Sequence, residues 1–400
     1  MIHLFINALA ASAGGGLTYV RNVLPQFAAR DDVRVTVLLN SDLRTQRPNS
    51  GQVSIIEQEP PGGVAARFWF EQRRLPQLVR QARADVLLST GNFALWNSPV
   101  PQILLSRNAL YTSQDFLRDL RSRGDYKIWL DTELKAEFAR WSIRQADVTV
   151  APSRAFANQL RDWTGVEVRA IHHGFDSDSF FADQTPLPET ARRALDASDG
   201  ALRLLFVSHY NYYRNFETLF RALALLRDRL APRRVCLILT CKLRSDSNPG
   251  SYSADSAAHL VQQLGLTESV IELGSIPYGL LHHVYRASDI YVTAAYAESF
   301  AHPLVEAMSS GLAIVAADTE VHREICGGSA LFFPPMSPRA LAGQVCRFVQ
   351  DEELAKSSSA KGLLRSRDFT WKRHVQQLVD LAQSKFELTI ARQLPEESVG

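Results

Sequence analysis

The feature that most constrains the fold is an alternation of strand-like and helix-like segments that runs through the chain twice. Short apolar and β-branched runs such as Val33–Leu39 alternate with longer segments of helical periodicity. The alternation stops between residues 176 and 200, where Asp, Ser, Thr and Pro accumulate, and it restarts at Leu202. Repeated strand–helix units form parallel sheets, so we expect an α/β protein with two Rossmann-like parallel-sheet domains that face each other across a cleft. Such sheets bind ligands at the carboxyl ends of their strands, which places a ligand in the cleft.

The length of the chain supports two domains, because 400 residues exceed the size at which one hydrophobic core keeps growing. We predict an N-terminal domain over residues 1–178, a connector over 179–200, a C-terminal domain over 201–366, a helix over 367–390 that packs back toward the N-terminal domain, and a disordered tail over 391–400.

Charge and cysteine content exclude several classes of protein. Lys and Arg number 44 against 42 Asp and Glu, and this near-balance argues against a dedicated nucleic-acid-binding protein. The four Cys form no CxxC pair, so we expect no zinc site, redox motif or disulfide scaffold, and a cytoplasmic location is favoured. No apolar run approaches the ~18 residues of a membrane-spanning helix. The apolar segment Met1–Ala13 has no Lys or Arg before it, so we interpret it as a buried strand rather than a leader.

The segment from Glu298 to Val315 carries the clearest chemical signal. A strand-like run leads into a loop with Glu298, Pro303 suits the first position of a helix, and Glu306 lies one turn inside that helix. Backbone N–H groups at a helix N-terminus bind anions, and a carboxylate accepts hydrogen bonds from sugar hydroxyls. Amides beside two carboxylates therefore predict a site for a sugar nucleotide.

This segment resembles the E-x7-E motif of the retaining family-4 glycosyltransferases, which have the GT-B fold; the two glutamates here are Glu298 and Glu306. Further matching segments extend over nearly the whole chain: Ser12–Thr18 (a glycine loop), His173–Asp176, Gly274–Pro277, Ala287–Val292, Glu306–Val315 and Glu324–Pro334. The resemblance implies an acceptor-side N-terminal domain and a C-terminal domain that binds the nucleotide sugar.

The resemblance also implies an activity. We expect a glycosyltransferase that moves a sugar, with retention of anomeric configuration, from a nucleotide-diphosphate sugar to a saccharide or lipid-linked saccharide acceptor. Members of the family often act in polysaccharide, lipopolysaccharide or glycolipid synthesis. By the same resemblance, neither a metal ion nor another cofactor is expected.

Residue roles follow from the resemblance position by position. In the family, the second glutamate holds the nucleotide ribose and the first lies close to the donor sugar; these roles fall here to Glu306 and Glu298. The other donor-binding positions that the resemblance implies are Gly15 and Gly16 in the glycine loop, Ile276 near the base, and the backbone of Ser299, Phe300, Ala301 and His302.

Three basic positions depart from the family pattern. The family usually has Arg and Lys at the positions of His209 and Arg214, and both contact the donor diphosphate. Arg214 keeps the charge, so we assign it to donor binding and catalysis, whereas His209 is mostly neutral at pH 7 and is assigned to donor binding alone. Many relatives have a His near the reacting sugar at the position of Arg107. We assign Arg107 to the catalytic set; whether it stabilises charge or only shapes the acceptor site is left open.

Other interpretations stay open. The changes at His209 and Arg107 are compatible with a non-catalytic GT-B protein that binds a nucleotide or a partner, and a nucleotide-sugar epimerase has the same fold. Asp176-Ser177-Asp178 resembles a DxD metal motif, but a polar turn is the favoured interpretation. The basic and aromatic segment Arg67–Ala84 suits peripheral contact with the inner face of a membrane, although an ordinary surface helix whose aromatic residues face the core is favoured over it.

Overall fold

The computed structural model describes residues 1–11, 14–41, 51–59, 62–244, 248 and 252–393. The strands are β1 (Ile2–Ala8), β2 (Val33–Asn40), β3 (Val53–Gln58), β4 (Val86–Ser89), β5 (Gln102–Leu105), β6 (Val148–Ala151), β7 (Val168–Ala170), β8 (Leu202–Phe206), β9 (Val235–Leu239), β10 (Val270–Glu272), β11 (Ile290–Thr293), β12 (Ala313–Ala317) and β13 (Ala330–Phe333). The helices are α1 (Gly14–Ala28), α2 (Gly63–Gln81), α3 (Gln114–Ser122), α4 (Tyr126–Gln145), α5 (Arg154–Thr164), α6 (Ser177–Phe180), α7 (Glu189–Asp196), α8 (Phe216–Leu230), α9 (Asp255–Gln263), α10 (Leu281–Arg286), α11 (His302–Ser309), α12 (Glu320–Cys326), α13 (Pro338–Gln350), α14 (Glu352–Ser366) and α15 (Trp371–Gln393).

The chain divides into two compact units whose sequences interleave. Unit 1 contains Met1–Thr112, Leu130–Gly174 and the segment from Thr370 onward, and unit 2 contains Ser113–Trp129 and Phe175–Phe369. The predicted domain ranges do not include this exchange of segments. Strand–helix alternation reports local periodicity, and it does not say on which sheet a given helix packs.

Two smaller differences concern the predicted connector and tail. Helix α7 lies inside the predicted connector and buries Ala191 and Leu195, so this stretch is a packed part of unit 2. At the other end, α15 continues to Gln393, three residues into the predicted tail. Residues 394–400 of that tail lie outside the described residues.

Each unit is built on one sheet whose described strand pairs are all parallel. The strand order is β3-β2-β1-β4-β5-β6-β7 in unit 1 and β10-β9-β8-β11-β12-β13 in unit 2. The prediction of two parallel α/β sheets is therefore confirmed. Each sheet reverses its strand order at one place, between β1 and β4 or between β8 and β11. At such a place the loops that follow the two strands lead to opposite sides and leave a crevice for a ligand.

Both faces of the unit 1 sheet are buried, as a parallel sheet requires. Leu4 and Ile6 point to a core that also contains residues of α1 and α15, whereas Phe5 points to the opposite core, which α2 covers. The members of α15 in the first core are Trp371, Val375, Leu378, Val379, Leu381 and Ala382. The C-terminal helix is thus part of the first sheet's packing.

Gly174 ends the second segment of unit 1 and touches the backbone where the chain returns to that unit. A Cβ atom at Gly174 would lie 2.1 Å from the backbone nitrogen of Trp371, so no larger residue fits there without a backbone shift. Within unit 2, the neighbouring Phe175 N–H donates to the carbonyl of Phe369 at 3.0 Å. This close approach explains the glycine in the His173–Asp176 segment.

Candidate functional site

The reversal point of unit 2 brings together two of the loops that the sequence singled out. The loop after β8 contains His209 and Arg214, and the loop after β11 contains Glu298. Because β8 and β11 are neighbours and parallel, the two loops leave the sheet at the same edge. The fold therefore places residues about 85 positions apart in sequence, such as Arg214 and Glu298, next to each other.

Arg214 is held by a carboxylate and an aromatic ring. It ends a short 3-10 turn, Tyr212–Arg214, and the chain then takes a left-handed conformation at Asn215 (φ 54°) before α8 begins. The Arg214 guanidinium donates to Glu298 Oε1 in an ion pair, and it lies 4.9 Å from the ring centroid of Tyr213. The side chain of Glu298 is only 11% exposed. The two residues assigned to catalysis in unit 2 are thus direct partners.

The loop after β11 ends in an uncapped helix. Ala301 adopts a left-handed conformation (φ 65°), and α11 begins at His302, with Pro303 in its first turn. The predicted helix began one residue later, at Pro303. No side chain caps this helix end, because Ala301 has no acceptor to offer. The segment from Ser299 to His302 therefore leads into a helix N-terminus that suits an anion.

Glu306 lies one turn inside α11 and is buried, at 4% exposure. The Tyr285 hydroxyl donates to its Oε2 at 2.7 Å, and Tyr278 supplies a second hydrogen bond. Burial raises the pKa of Glu306 to about 7, although both tyrosine hydrogen bonds act to lower it. The carboxylate is therefore held in one orientation while its charge is only weakly stabilised.

Ile276, the predicted donor-binding residue near the base, is connected to Glu306 through the turn that follows it in the chain. Ile276 is buried in the loop that follows β10, and the next turn, Tyr278–Leu280, carries the tyrosine that bonds Glu306. The loop after β10 is thus tied to helix α11. Neither tyrosine partner of Glu306 was singled out in the sequence.

His209 lies at the surface of the same loop as Arg214. Partial burial and the charge of Arg214 lower its pKa below the usual 6.5. The side chain is therefore neutral at pH 7, in line with the sequence analysis, and the positive charge on this loop resides on Arg214.

Helix α3 and the residues after it, which belong to unit 2, contact both loops. The Arg123 guanidinium donates to Asp119 at 2.8 Å and to Glu217, in the first turn of α8, at 2.9 Å. It also lies 4.2 Å from the ring centroid of Tyr212. Asp119 in turn accepts from the Tyr296 hydroxyl at 2.9 Å. Sequence reasoning missed this cluster, because α3 precedes the loops by about 90 residues or more.

Unit 1 has its own reversal point, between β1 and β4. Gly15 and Gly16 lie in the first turn of α1 there, because that helix begins at Gly14, whereas the sequence predicted a glycine loop over Ser12–Thr18. Ser12 and Ala13 lie outside the described residues. A cavity of about 240 Å³ opens beside Gly16. Its lining includes three cationic side chains, Arg67, Arg107 and Lys135.

Arg107 follows β5, the fifth strand along the chain. Its Nη2 donates to the Thr90 carbonyl at 3.0 Å, and the guanidinium stacks over Tyr19 at 4.9 Å from the ring centroid. The Tyr19 hydroxyl lies 3.0 Å from Nε2 of His374, on α15. Burial lowers the pKa of Arg107. Sequence reasoning singled out neither Tyr19 nor His374, since their contact with Arg107 arises only from packing.

The aspartates of the DxD-like triplet have a structural explanation. The Asp176 carboxylate accepts from the Ser179 N–H at 3.1 Å and so caps α6, while Asp178 is exposed in the first turn. Across the described chain, no group of three or more His, Cys, Asp or Glu side chains is arranged to hold a metal ion.

Comparison with known proteins places the chain in a family. The family model described as Glycosyltransferase Family 4 matches residues 13–179, and the one described as Glycosyl transferases group 1 matches residues 189–364. The chain belongs to these family-4 glycosyltransferases. A curated relative, the D-inositol 3-phosphate glycosyltransferase of Corynebacterium jeikeium, is 27% identical over 212 residues, which are 52% of this chain and 50% of that protein. The chain thus spans about half the length of the curated relatives it matches.

Solved structures share the fold of this glycosyltransferase family member. Sucrose-phosphate synthase from Thermosynechococcus elongatus superposes with a TM-score of 0.73 at 19% identity, covering 97% of this chain and 100% of that one. Anabaena HepE in complex with UDP-glucose gives a TM-score of 0.70 at 17% identity, covering 96% and 100%. The resemblance to the GT-B fold is confirmed.

Proposed function

We propose that this family member transfers a sugar from a nucleotide-diphosphate sugar to an acceptor. The observation that carries the proposal is the convergence of Arg214, Glu298 and the N-terminus of α11 at one reversal point, with Glu306 held one turn inside that helix. Positive groups that suit a phosphate therefore lie close to carboxylates that suit sugar hydroxyls. The solved relative that contains UDP-glucose supports a donor of this class.

Each of these residues receives a role in the proposal. Arg214 faces the donor diphosphate: its Nε is buried without a hydrogen-bond partner among the described residues, so the guanidinium still has a donor to offer. Glu306 accepts from the nucleotide ribose, and Glu298 lies beside the donor sugar. The amides that begin α11 stabilise the leaving diphosphate, which is electrostatic catalysis by fixed dipoles. Retention of configuration belongs to the proposal through the family resemblance.

The cavity of unit 1 is proposed as the acceptor site. Its lining contains three cations, of which Lys135 also pairs with Asp131 and Arg67 with Glu71, and this basic lining favours an acceptor that carries negative charge. The name of the Corynebacterium relative includes inositol 3-phosphate, which supports the same class. A lipid-linked saccharide also carries phosphate, and with it we propose peripheral contact with the inner face of a membrane from the cytoplasm. None of the described helices is both long and apolar enough to cross a membrane.

Transfer without a divalent metal is a further part of the proposal, since Arg214 and the α11 amides supply the positive charge that a metal would otherwise provide. Transfer measured in EDTA should equal transfer in Mg²⁺. Activity that disappears in EDTA and returns with Mg²⁺ or Mn²⁺ would contradict this part and return attention to Asp176 and Asp178.

The central experiment is a thermal-shift panel of nucleotide sugars followed by product analysis. A ligand at about 100 times its dissociation constant stabilises the folded state by ~2.7 kcal/mol, which raises the melting temperature measurably. The donor found in this way is then incubated with phosphorylated, lipid-linked and neutral saccharides. Sugar attached to an acceptor supports the proposal; a free epimer, or binding without any product, would replace it with one of the other functions.

A further inference from the structure

Over its unit 1 part, helix α4 buries mostly small residues, with Ile143 as the one large apolar exception, and exposes several large apolar residues. The buried side chains there are Thr132, Ala136, Ala139, Ser142 and Ile143. The exposed apolar side chains are Leu130 (53%), Leu134 (55%), Phe138 (51%) and Trp141 (36%). Their spacing of four, four and three residues places them on one side of the helix. A helix of a water-soluble domain normally buries its larger apolar side chains, so packing in unit 1 does not account for this side.

Aromatic residues of α2 and of the loop after β4 extend the apolar surface. The Trp96 ring lies 5.7 Å from Trp69 and 5.6 Å from Trp141, measured between ring centroids. Phe68 joins Phe138 at 5.8 Å. Trp69 is 49% exposed and Trp96 is 46% exposed. We call the exposed set, Trp69, Trp96, Leu130, Leu134, Phe138 and Trp141, the aromatic face.

Positive charge borders the aromatic face on α2. The exposed charged side chains of that helix are all arginines, Arg73, Arg74 and Arg80, whereas its one carboxylate, Glu71, is buried. The Arg73 guanidinium lies 5.5 Å from the ring centroid of Trp69. On α4 the charges offset each other, as in the ion pair of Lys135 with Asp131.

We propose that the aromatic face binds the surface of an anionic lipid bilayer. Tryptophan is enriched at membrane–water interfaces because its ring is apolar and its N–H is polar. Arginines beside the rings add attraction to anionic headgroups. A protein partner would need an acidic edge opposite the arginines and apolar pockets for three tryptophans, whereas a bilayer offers negative charge above hydrocarbon without shape matching. The proposed function includes peripheral membrane contact, and the aromatic face gives that contact a location on the protein. Only the reason for binding a membrane, access to a lipid-linked acceptor, rests on the proposed function.

Vesicle flotation tests the proposal. The full-length chain is mixed with vesicles of phosphatidylcholine alone or of equal parts phosphatidylcholine and phosphatidylglycerol, with and without added salt. We expect binding to the anionic vesicles and a blue shift of tryptophan emission. The triple variant Trp69→Gln, Phe138→Gln, Trp141→Gln should bind at least about tenfold more weakly. The matched control is Leu364→Gln on α14 of unit 2, where an apolar side chain that is 65% exposed is removed far from the aromatic face in sequence.

Three results would overturn the proposal. The parent chain does not float with anionic vesicles, or the triple variant binds the vesicles as well as the parent does. In the third, the parent is a dimer and the triple variant is a monomer, which would make the aromatic face an interface between copies of this chain. If the triple variant does not fold, the surface variant Arg73→Glu, Arg74→Glu is tested instead. Loss of binding to anionic vesicles supports the proposal, and unchanged binding contradicts it. Binding of the donor nucleotide sugar in solution is measured on every variant. It should stay unchanged, which separates failure of this proposal from failure of the proposed function.

A second inference concerns Asp119 and Arg123, which contact the two loops of the donor site. Arg123 joins Tyr212 and Glu217, on either side of Arg214, while Asp119 bonds Tyr296, two residues before Glu298. The Tyr296 N–H also donates to the Tyr213 carbonyl at 3.1 Å, so the two loops are tied directly as well. We infer that Asp119 and Arg123 are positioning residues that keep Arg214 and Glu298 in register for the donor.

The inference is tested by measuring the KM for the donor on matched variants of α3 and of the residues just after it. Arg123→Met should raise the KM for the donor about tenfold, and Arg123→Lys should restore part of that loss because it keeps the charge. The control is Arg118→Met, which removes an exposed pair with Asp115. Should Arg123→Met fail to fold, Tyr296→Phe removes a single hydrogen bond and should still raise the KM. Unchanged donor KM in Arg123→Met, or in a folded Tyr296→Phe, would refute the inference.

Discussion

The two reversal points each present a guanidinium, and they hold it in different ways. In unit 2, Arg214 is paired with Glu298, so its charge is balanced until a ligand arrives. In unit 1, Arg107 lies over the neutral ring of Tyr19 and donates to the Thr90 carbonyl. An anion at Arg214 meets a carboxylate as well, and that combination suits a ligand with both phosphates and hydroxyls. At Arg107, the ring and the carbonyl fix the orientation of the guanidinium.

The largest effect is expected from Arg214→Ala. Loss of the charge that we propose to face the diphosphate should weaken donor binding by ~2–3 kcal/mol, or about 30- to 150-fold. Calorimetric titration with the donor measures it, and Arg221→Ala, which removes an exposed arginine on α8, serves as the control. Donor binding that survives Arg214→Ala would mean that the loop after β8 does not hold the diphosphate.

Arg107→Met separates the two reversal points. Transfer to the acceptor should fall by about tenfold or more, ~1.4 kcal/mol of transition-state stabilisation, while the dissociation constant of the donor stays the same. Tyr19→Phe keeps the ring beneath Arg107 and should have a much smaller effect. If Arg107→Met weakens donor binding as strongly as Arg214→Ala, the division into donor and acceptor points is wrong.

Glu306→Gln should weaken donor binding by ~1.5–3 kcal/mol, because the charged acceptor that we propose for the ribose is lost. The parent should also lose donor affinity as the pH falls through about 7, the pKa of Glu306, because the acceptor becomes protonated. The Gln variant should lack that pH dependence. Titrations at pH 6 and pH 8 for both chains check this.

The same raised pKa has a consequence for folding. The folded state keeps the Glu306 proton up to about pH 7, whereas the unfolded chain releases it near 4.5, so stability falls as the pH rises between these values. Glu306→Gln should therefore be more stable than the parent at pH 8, by ~1–3 kcal/mol, with little advantage at pH 4.5. Melting curves at the two pH values measure the difference. A variant that is less stable than the parent at pH 8 would contradict the buried charge.

The smallest effect is expected from His209→Arg. Burial and the Arg214 charge keep the pKa of His209 below 6.5, so the parent gains a charge here only in acid. A permanent charge should tighten donor binding about two- to fivefold at pH 8 and less at pH 5.5. Equal affinities of the parent and the variant at pH 8 would show that His209 does not face the donor.

What the sequence predicted well is local in origin. Alternating periodicity predicted both parallel sheets, and the spacing of Glu298 and Glu306, read through the family resemblance, predicted a loop and a helix that the structure contains. The partners of these residues escaped, because Tyr278 and Tyr285 reach Glu306 only after β10 and β11 are placed in one sheet. Nothing in their immediate neighbours marks them.

Helix α2 shows the limit of periodicity alone. The favoured interpretation placed its aromatic residues in the core, and Phe70 does pack, partly buried, against the core that contains Leu75 and Val79. Trp69, however, is half exposed beside Trp96. Periodicity predicts which side of a helix is apolar. It does not show that α4 and the loop after β4 place a second apolar surface next to that side of α2.

Helix α15 imposes an order on folding during synthesis. It is the last described helix to leave the ribosome, yet it covers a face of the sheet that β1 begins, and the contact of Tyr19 with His374 joins residues 355 positions apart. Folding of one domain after another along the nascent chain, which is the usual course, therefore leaves that face of unit 1 open until α15 has been synthesised. Contacts of such separation also form slowly. A chain truncated before Thr370 should expose Leu4, Ile6 and Tyr19 to solvent and aggregate, whereas a chain that includes α15 closes the face.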